Sequence, residues 1–233
     1  MNIKDKVAIV TGAAGGLGRH LCRGLSQAGA RLVLASRNRP ALEGLAGELR
    51  SRGATAIAVP TDITSEESVE SCVASALAAF GQIDVLINNA AVFTRGRVVQ
   101  MAPSEWRKVI DTNLTGTFLM TRAVLPHMIK RQTGSIIMIS STSGRKGDPG
   151  ASAYAASKFG LLGLSQSLLY EVRKDNIRVS VLFPIYVDVG EPKGEEGAGI
   201  HMHAKDVTDT IISILSLPSR ALVREVEIWA TNP

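Results

Sequence analysis

The sequence predicts an α/β fold, a single domain over residues 1–233 built on a doubly wound, mostly parallel sheet with helices on both faces. Three observations carry that prediction. Short, near-continuous apolar runs alternate with helical patterns along the chain, as expected of strands buried on both faces. A glycine-rich turn joins the first run to the first helix. Each polar cluster comes just after a strand, and in an open α/β sheet the ligand lies outside the carboxyl ends of the strands, so these clusters should face one crevice.

Composition narrows the function classes. With 233 residues, 45% of them hydrophobic, and a mean hydropathy of +0.14, the chain has material for a sizeable core, and no linker-like stretch divides it. Cys22 and Cys72 lie in apolar helical patterns and read as buried reduced thiols, which predicts a cytoplasmic location. Lys4-Asp5-Lys6 leads into the glycine segment without a signal-like apolar region. No apolar run reaches about eighteen residues, so neither secretion nor a membrane span is expected. The net charge is +5, yet Lys and Arg are scattered with no aromatic platform, which argues against nucleic acid.

In chain order, residues 6–10 form the first strand, Thr11-Gly12-Ala-Ala-Gly15-Gly16-Leu17-Gly18 the turn, and a helix continues to about Ala28. Glycines let the backbone approach a pyrophosphate, and the helix N-terminus offers free N–H groups and positive dipole. The second strand, 31–35, ends at Ser36-Arg37, with Arg39 nearby. Where NAD sites place an acid for the ribose 2′-hydroxyl, a hydroxyl and a guanidinium suit a 2′-phosphate, so NADP(H) is expected over NAD(H); the alternative is a solvated loop charge. After a helix over 41–52 and a strand over 54–59 comes Thr61-Asp62-Ile63. Asp62 either accepts from an adenine amino group or serves the turn and cap before the next helix. A helix over 66–80 leads through Gly81 to a strand over 85–88, and Asn89-Ala90-Ala91 would bring small side chains and backbone close to a ribose.

A helix near 104–111 precedes a longer one, opened by Thr112-Asn113 and running to about Arg131. Asn113 inside a helix is costly unless its amide has a partner. The strand over 135–139 delivers Ser140 and Ser141, and a Gly/Pro-rich loop leads to a helix over 154–174. A strand over 178–183 ends at Pro184. Residues 185–205, with the Gly- and Glu-rich piece 190–199, read as a mobile substrate loop. A helix over 204–217 and a strand over 225–230 complete the chain.

The chemistry concentrates in Ser141 to Lys158. With Tyr154 opening a helix, Lys158 lies four residues on and shares its face. A nearby ammonium stabilises phenolate and moves a phenol toward acid/base work, and Ser141 could hydrogen-bond the oxygen on which Tyr154 acts.

Thr11-Gly12-x-x-x-Gly16-x-Gly18, Asn88-Asn89-Ala90, Asn113, Ser141 and Tyr154-x-x-x-Lys158, in this order and spacing, resemble the short-chain dehydrogenase/reductase family over essentially the whole chain. The resemblance implies a seven-stranded Rossmann-type sheet and a nicotinamide cofactor held by Gly12, Gly16, Leu17, Gly18, Ser36, Arg37, Asp62, Ile63, Asn89, Ala90, Pro184 and Val187, together with Tyr154 and Lys158. It implies Tyr154 as general acid/base, Ser141 as the group holding the carbonyl or alcohol oxygen, Lys158 as the ribose contact that tunes Tyr154, and Asn113 as the holder of a relay water. Two positions depart from the family pattern. Ala91 replaces a glycine, and Val189 stands where a threonine would contact the nicotinamide carboxamide, a loss of about 1 kcal/mol.

The resemblance implies a homodimer or homotetramer, and the helix bearing Gly160, Leu161, Leu162, Gly163, Leu164 and Leu168, apolar on more than one face, asks for such a partner. The loop after the sixth strand is poor in bulky apolar residues, which favours a small or polar ketone or aldehyde over a steroid. A 3-oxoacyl group on acyl carrier protein is the rival, with Lys130-Arg131 to meet an acidic carrier; Tyr170, standing where such reductases often carry a basic residue, weakens it. His201-Met202-His203 reads as a surface feature, so no metal is expected, and Glu191, Glu195 and Glu196 read as a solvated rim. A nucleotide-sensing module without chemistry is the alternative to an enzyme; retention of Asn113, Ser141, Tyr154 and Lys158 favours the enzyme.

Overall fold

Strands buried on both faces need no polar alternation and pair in parallel through helical crossovers. The computed structural model of the protein describes residues 3–190 and 202–231. Its strands there are β1 (Val7–Thr11), β2 (Arg31–Ser36), β3 (Ala56–Pro60), β4 (Val85–Asn88), β5 (Gly134–Ile139), β6 (Ile177–Pro184), β7 (Val187–Asp188), β8 (Met202–His203) and β9 (Glu225–Ile228). Seven of them form one sheet in the order β3-β2-β1-β4-β5-β6-β9, parallel throughout. The chain moves outward from β1 to β3 and then returns to lay β4 on the other side of β1. That reversal opens a crevice at the carboxyl ends of β1 and β4.

The helices are α1 (Gly16–Gln27), α2 (Arg39–Ser51), α3 (Glu66–Phe80), α4 (Pro103–Ile110), α5 (Gly116–Arg131), α6 (Ser152–Val172) and α7 (Ala204–Ser216). Successive strand residues point to opposite faces. Ala8 and Val10 of β1 therefore join Leu21, Leu42 and Ile211 in the core under α1, α2 and α7. Val7 and Ile9 join Val69, Met120 and Leu161 in the core under α3, α5 and α6. Local signals set several helix ends. The Asn38 side chain accepts from the Ala41 N–H at 3.1 Å and caps α2, and Gly81, at φ +73°, closes α3 in the left-handed conformation.

Three features differ from the sequence prediction. The helices expected over 104–111 and 112–131 are continuous, joined by a π-helical turn at Asp111–Thr115. The helix carrying Tyr154 starts two residues earlier, at Ser152. The predicted mobile loop 185–205 is paired near both ends, where Val187 and Asp188 of β7 align with Met202 and His203 of β8; its central part, with Glu191, Glu195, Glu196 and His201, lies outside the described residues. Arg131 is also committed elsewhere than to a carrier. Its guanidinium donates to the buried Asp84 carboxylate at 2.9 Å and to the Ile83 carbonyl at 3.1 Å, and the same carboxylate accepts from the Val7 N–H at 2.9 Å.

Candidate active site

The glycine turn is shaped by contacts that a side chain would destroy. Gly12 has φ +65°, and a Cβ there would lie 2.8 Å from Ala90 Cα; a Cβ on Gly18 would run into the Gly12 carbonyl oxygen. No side chain caps α1 and no acid occupies its first turn, so its leading N–H groups and dipole remain for an anion. Thr11 knits β1 to β4. Its hydroxyl accepts from the Asn89 and Ala90 N–H groups, both at 3.0 Å, while Asn89 Nδ2 donates to the Thr11 carbonyl at 2.9 Å.

A cavity of about 380 Å³ opens over this crevice. Gly12, Gly16, Leu17, Gly18, Ser36, Arg37, Asp62, Ile63, Asn89 and Ala90 all line it, as the sequence led us to expect, and so do Gly15, Ala91, Val92 and Thr112. An uncapped helix N-terminus at one point and an exposed guanidinium at another fit a dinucleotide phosphate chain and a further phosphate. Two expected contacts are absent from the lining. Pro184 is buried and aligned with Ile228 in the sheet, and Val187 pairs with Met202 and packs on the core. Asp62 serves the turn before α3, and it also lines the cavity. Its carboxylate accepts from the Thr64 N–H at 3.0 Å and the Thr64 hydroxyl at 2.7 Å. These bonds, helped by the Arg37 charge, hold its pKa below the usual carboxylate range.

Tyr154 lies on the first turn of α6, and Ser141, which follows β5, stands beside its hydroxyl. Burial raises the Tyr154 pKa, and Ser141 acts in the opposite sense. Burial therefore favours the protonated phenol. Ser141 Oγ accepts from the Ser143 N–H at 3.2 Å, leaving the hydroxyl proton for a second partner. Lys158 is buried. Its Nζ donates to the Ile139 carbonyl at 2.7 Å and stands 5.5 Å from the centre of the Tyr154 ring. Burial lowers its pKa from 10.5 to about 8.

Asn113 obtains the partners that its place in a helix demands. Its Oδ1 accepts from the Val92 N–H at 2.8 Å, and its Nδ2 donates to the Val92 carbonyl at 2.9 Å and to Ser157 Oγ at 3.1 Å. Ser157 donates in turn to the Tyr154 carbonyl at 2.7 Å. One buried amide thus ties the loop after β4 to the helix carrying Tyr154, with the π-helical turn placing it. Sequence reasoning missed Phe93, the next residue, whose ring meets that of Tyr154 at 5.0 Å and 81°. The available signal was a large apolar residue directly after Asn-Asn-Ala-Ala-Val.

Val189 takes up a packing role. A Cβ on Gly16 would lie 2.7 Å from Val189 Cγ2, and His20 Nε2 is 3.1 Å from the Val189 carbonyl oxygen. The strap after β7 therefore rests on the glycine turn. Among the described residues no group of three His, Cys, Asp or Glu side chains is placed to hold a metal, and no helix is long and apolar enough to cross a membrane.

The comparisons agree with this geometry. Residues 6–196 match the short chain dehydrogenase family. An uncharacterized oxidoreductase of Staphylococcus epidermidis is 31% identical over 227 residues, covering 97% of each chain. The 3-oxoacyl-acyl-carrier-protein reductase FabG of Escherichia coli is 35% identical over 188 residues, covering 81% of this chain and 76% of that one. The crystal structure of a metagenomic short-chain oxidoreductase in complex with NADP superposes with a TM-score of 0.89 at 32% identity, covering 100% of both chains. With its Rossmann-like sheet, its glycine turn and its Tyr154-x-x-x-Lys158 helix, the chain belongs to the short-chain dehydrogenase family and is an NAD(P)-dependent oxidoreductase acting on alcohol and carbonyl groups.

Proposed function

We propose that this protein is an NADPH-dependent reductase interconverting a small ketone or aldehyde with its alcohol, with Tyr154 as general acid and base. The observation that carries the reading is the Tyr154–Ser141 hydroxyl pair, joined through Asn113 and Val92 to the wall of the dinucleotide cavity. When bound, the nicotinamide cofactor supplies the hydride that reaches the carbonyl carbon. The chain's own residues manage the oxygen. Ser141 donates its hydroxyl to the carbonyl oxygen, and Tyr154 passes its proton there as negative charge develops. Lys158, one helical turn on, favours the phenolate left behind and would hold the nicotinamide ribose. Both ends of the Asn113 amide are engaged by Val92 and Ser157, so we assign its side chain to positioning the wall and not to holding a relay water.

Ser36 and Arg37 at the end of β2 support NADPH over NADH, and the metagenomic relative that superposes on the chain is a complex with NADP. Similarity to FabG supports a 3-oxoacyl thioester as a second substrate class, although the Arg131–Asp84 pair leaves only Lys130 of the basic dipeptide for an acidic carrier. Phe118 of α5 and Phe159 of α6, 44% and 45% exposed, support assembly into a dimer or tetramer through these helices. Buried free Cys22 and Cys72 fit a reducing cytoplasm.

Loss of NADPH absorbance with small ketones, small diketones and acetoacetyl thioesters tests the reading. Tyr154→Phe should lower kcat by about a hundredfold or more with NADPH affinity retained. Turnover by Tyr154→Phe at the unaltered rate would refute the assignment.

A further inference from the structure

We infer that Phe93 is a substrate-binding residue and that it selects carbonyl compounds bearing a flat aryl group next to the reacting carbon. The inference rests on the reading of Tyr154 as the acid at the carbonyl oxygen, and it narrows the substrate class beyond small ketones in general.

The wall that carries Phe93 is built rather than loose. Val92 is held through both of its backbone polar groups by the buried Asn113 amide, at 2.8 and 2.9 Å. On the far side of Phe93, the Gly96 N–H donates to the Gly150 carbonyl at 2.8 Å, joining this wall to the loop that follows Ser141. Between these two ties the Phe93 ring meets the Tyr154 ring at 5.0 Å and 81°, a favourable edge-to-face arrangement. Even so, Phe93 remains 56% exposed, and it belongs to neither hydrophobic core. A large aromatic side chain kept out of the core, held on a fixed backbone and placed against the proposed proton donor is an apolar platform with a vacant surface. A carbonyl whose oxygen reaches Tyr154 and Ser141 would bring its substituent beside that ring. An aryl group can stack there or meet it edge-on, whereas a sugar would bury hydroxyl groups without partners.

Steady-state reduction of acetophenone and of cyclohexyl methyl ketone, similar in size but differing in flatness, measures the preference. The wild type should favour the aryl ketone in kcat/KM. Phe93→Ala and Phe93→Leu should cut the aryl-to-alkyl ratio by about fivefold to tenfold, mainly through KM, and Phe93→Tyr should keep it. An unchanged ratio in Phe93→Ala, whatever the absolute rates, would overturn the inference, because Phe93 would then serve only to position Tyr154. Calorimetric titration of 1-phenylethanol into the NADPH-saturated protein gives a readout independent of turnover. Binding weakened about fivefold or more by Phe93→Ala supports the platform even if the proposed chemistry fails. Absence of binding to the wild type, or equal binding to both, refutes the platform even if ketones are reduced.

Discussion

Replacing Lys158 by Met should make the folded protein more stable at neutral pH, and the gain should vanish as pH rises. Lys158 is buried, its one hydrogen bond reaches a neutral carbonyl, and its pKa falls from 10.5 to about 8. Below pH 8 the amine is protonated in both the folded and unfolded chains, and the folded state bears the full cost of a desolvated charge. At about 1.36 kcal/mol per tenfold, the gap between 10.5 and about 8 corresponds to about 3 kcal/mol. Between pH 8 and 10.5 the unfolded chain binds more protons than the folded one, so stability rises with pH across this window. Urea unfolding of the wild type and of Lys158→Met, followed by circular dichroism from about pH 7.5 to about pH 10, isolates the lysine, since other groups titrate in both chains. The difference in unfolding free energy should move in favour of the wild type by about 2 kcal/mol over that range. A difference flat to within about 0.5 kcal/mol would show that the ammonium is well solvated or paired, and the site would lose its low-dielectric character.

Two further outcomes follow from the site and the helix faces. Arg37→Ala should raise the KM for NADPH by about tenfold or more while changing the KM for NADH by less than about threefold, and Ser36→Asp should move preference toward NADH; equal use of both cofactors by the wild type would contradict the assignment. Light scattering at micromolar concentration should report a dimer or tetramer, and Phe118→Arg with Phe159→Arg should shift it toward monomer, because like charges would meet where apolar rings now face outward; a wild-type monomer would reject the interface.

The sheet could be read from the sequence because each strand is a short apolar run buried on both sides, a pattern that leaves little freedom in element type. Glu66–Phe80 and Val85–Asn88 were legible to the residue, helped by a Ser65 cap, a Gly81 stop and a run with no polar interruption before Asn88. Where boundaries moved, side-chain demands unseen along the chain decided them. The break expected at 111–112 is instead a π-helical turn, because Asn113 finds its partners on Val92, twenty-one residues away. The pairing of β7 with β8 joins two-residue strands separated by residues 189–201, and nothing periodic announces so short a ladder.

The candidate site divides along the same line. Backbone requirements speak through composition: a left-handed Gly12 and an uncapped α1 need particular residue types at particular spacings, so they can be found in one dimension. Side-chain environment cannot. Tyr154 and Lys158 at i and i+4 imply proximity, but spacing says nothing of burial, and burial sets both groups here: it raises the phenol and lowers the ammonium. Val189, which the sequence marks only as a missing hydroxyl, turns out to cover the glycine turn, where the methyl groups of a threonine and a valine occupy similar space. Phe93 is the converse case. As one apolar letter after Asn-Asn-Ala-Ala-Val it carries only a weak signal, and its ring against Tyr154 with most of its surface outward is what gives it a substrate to meet.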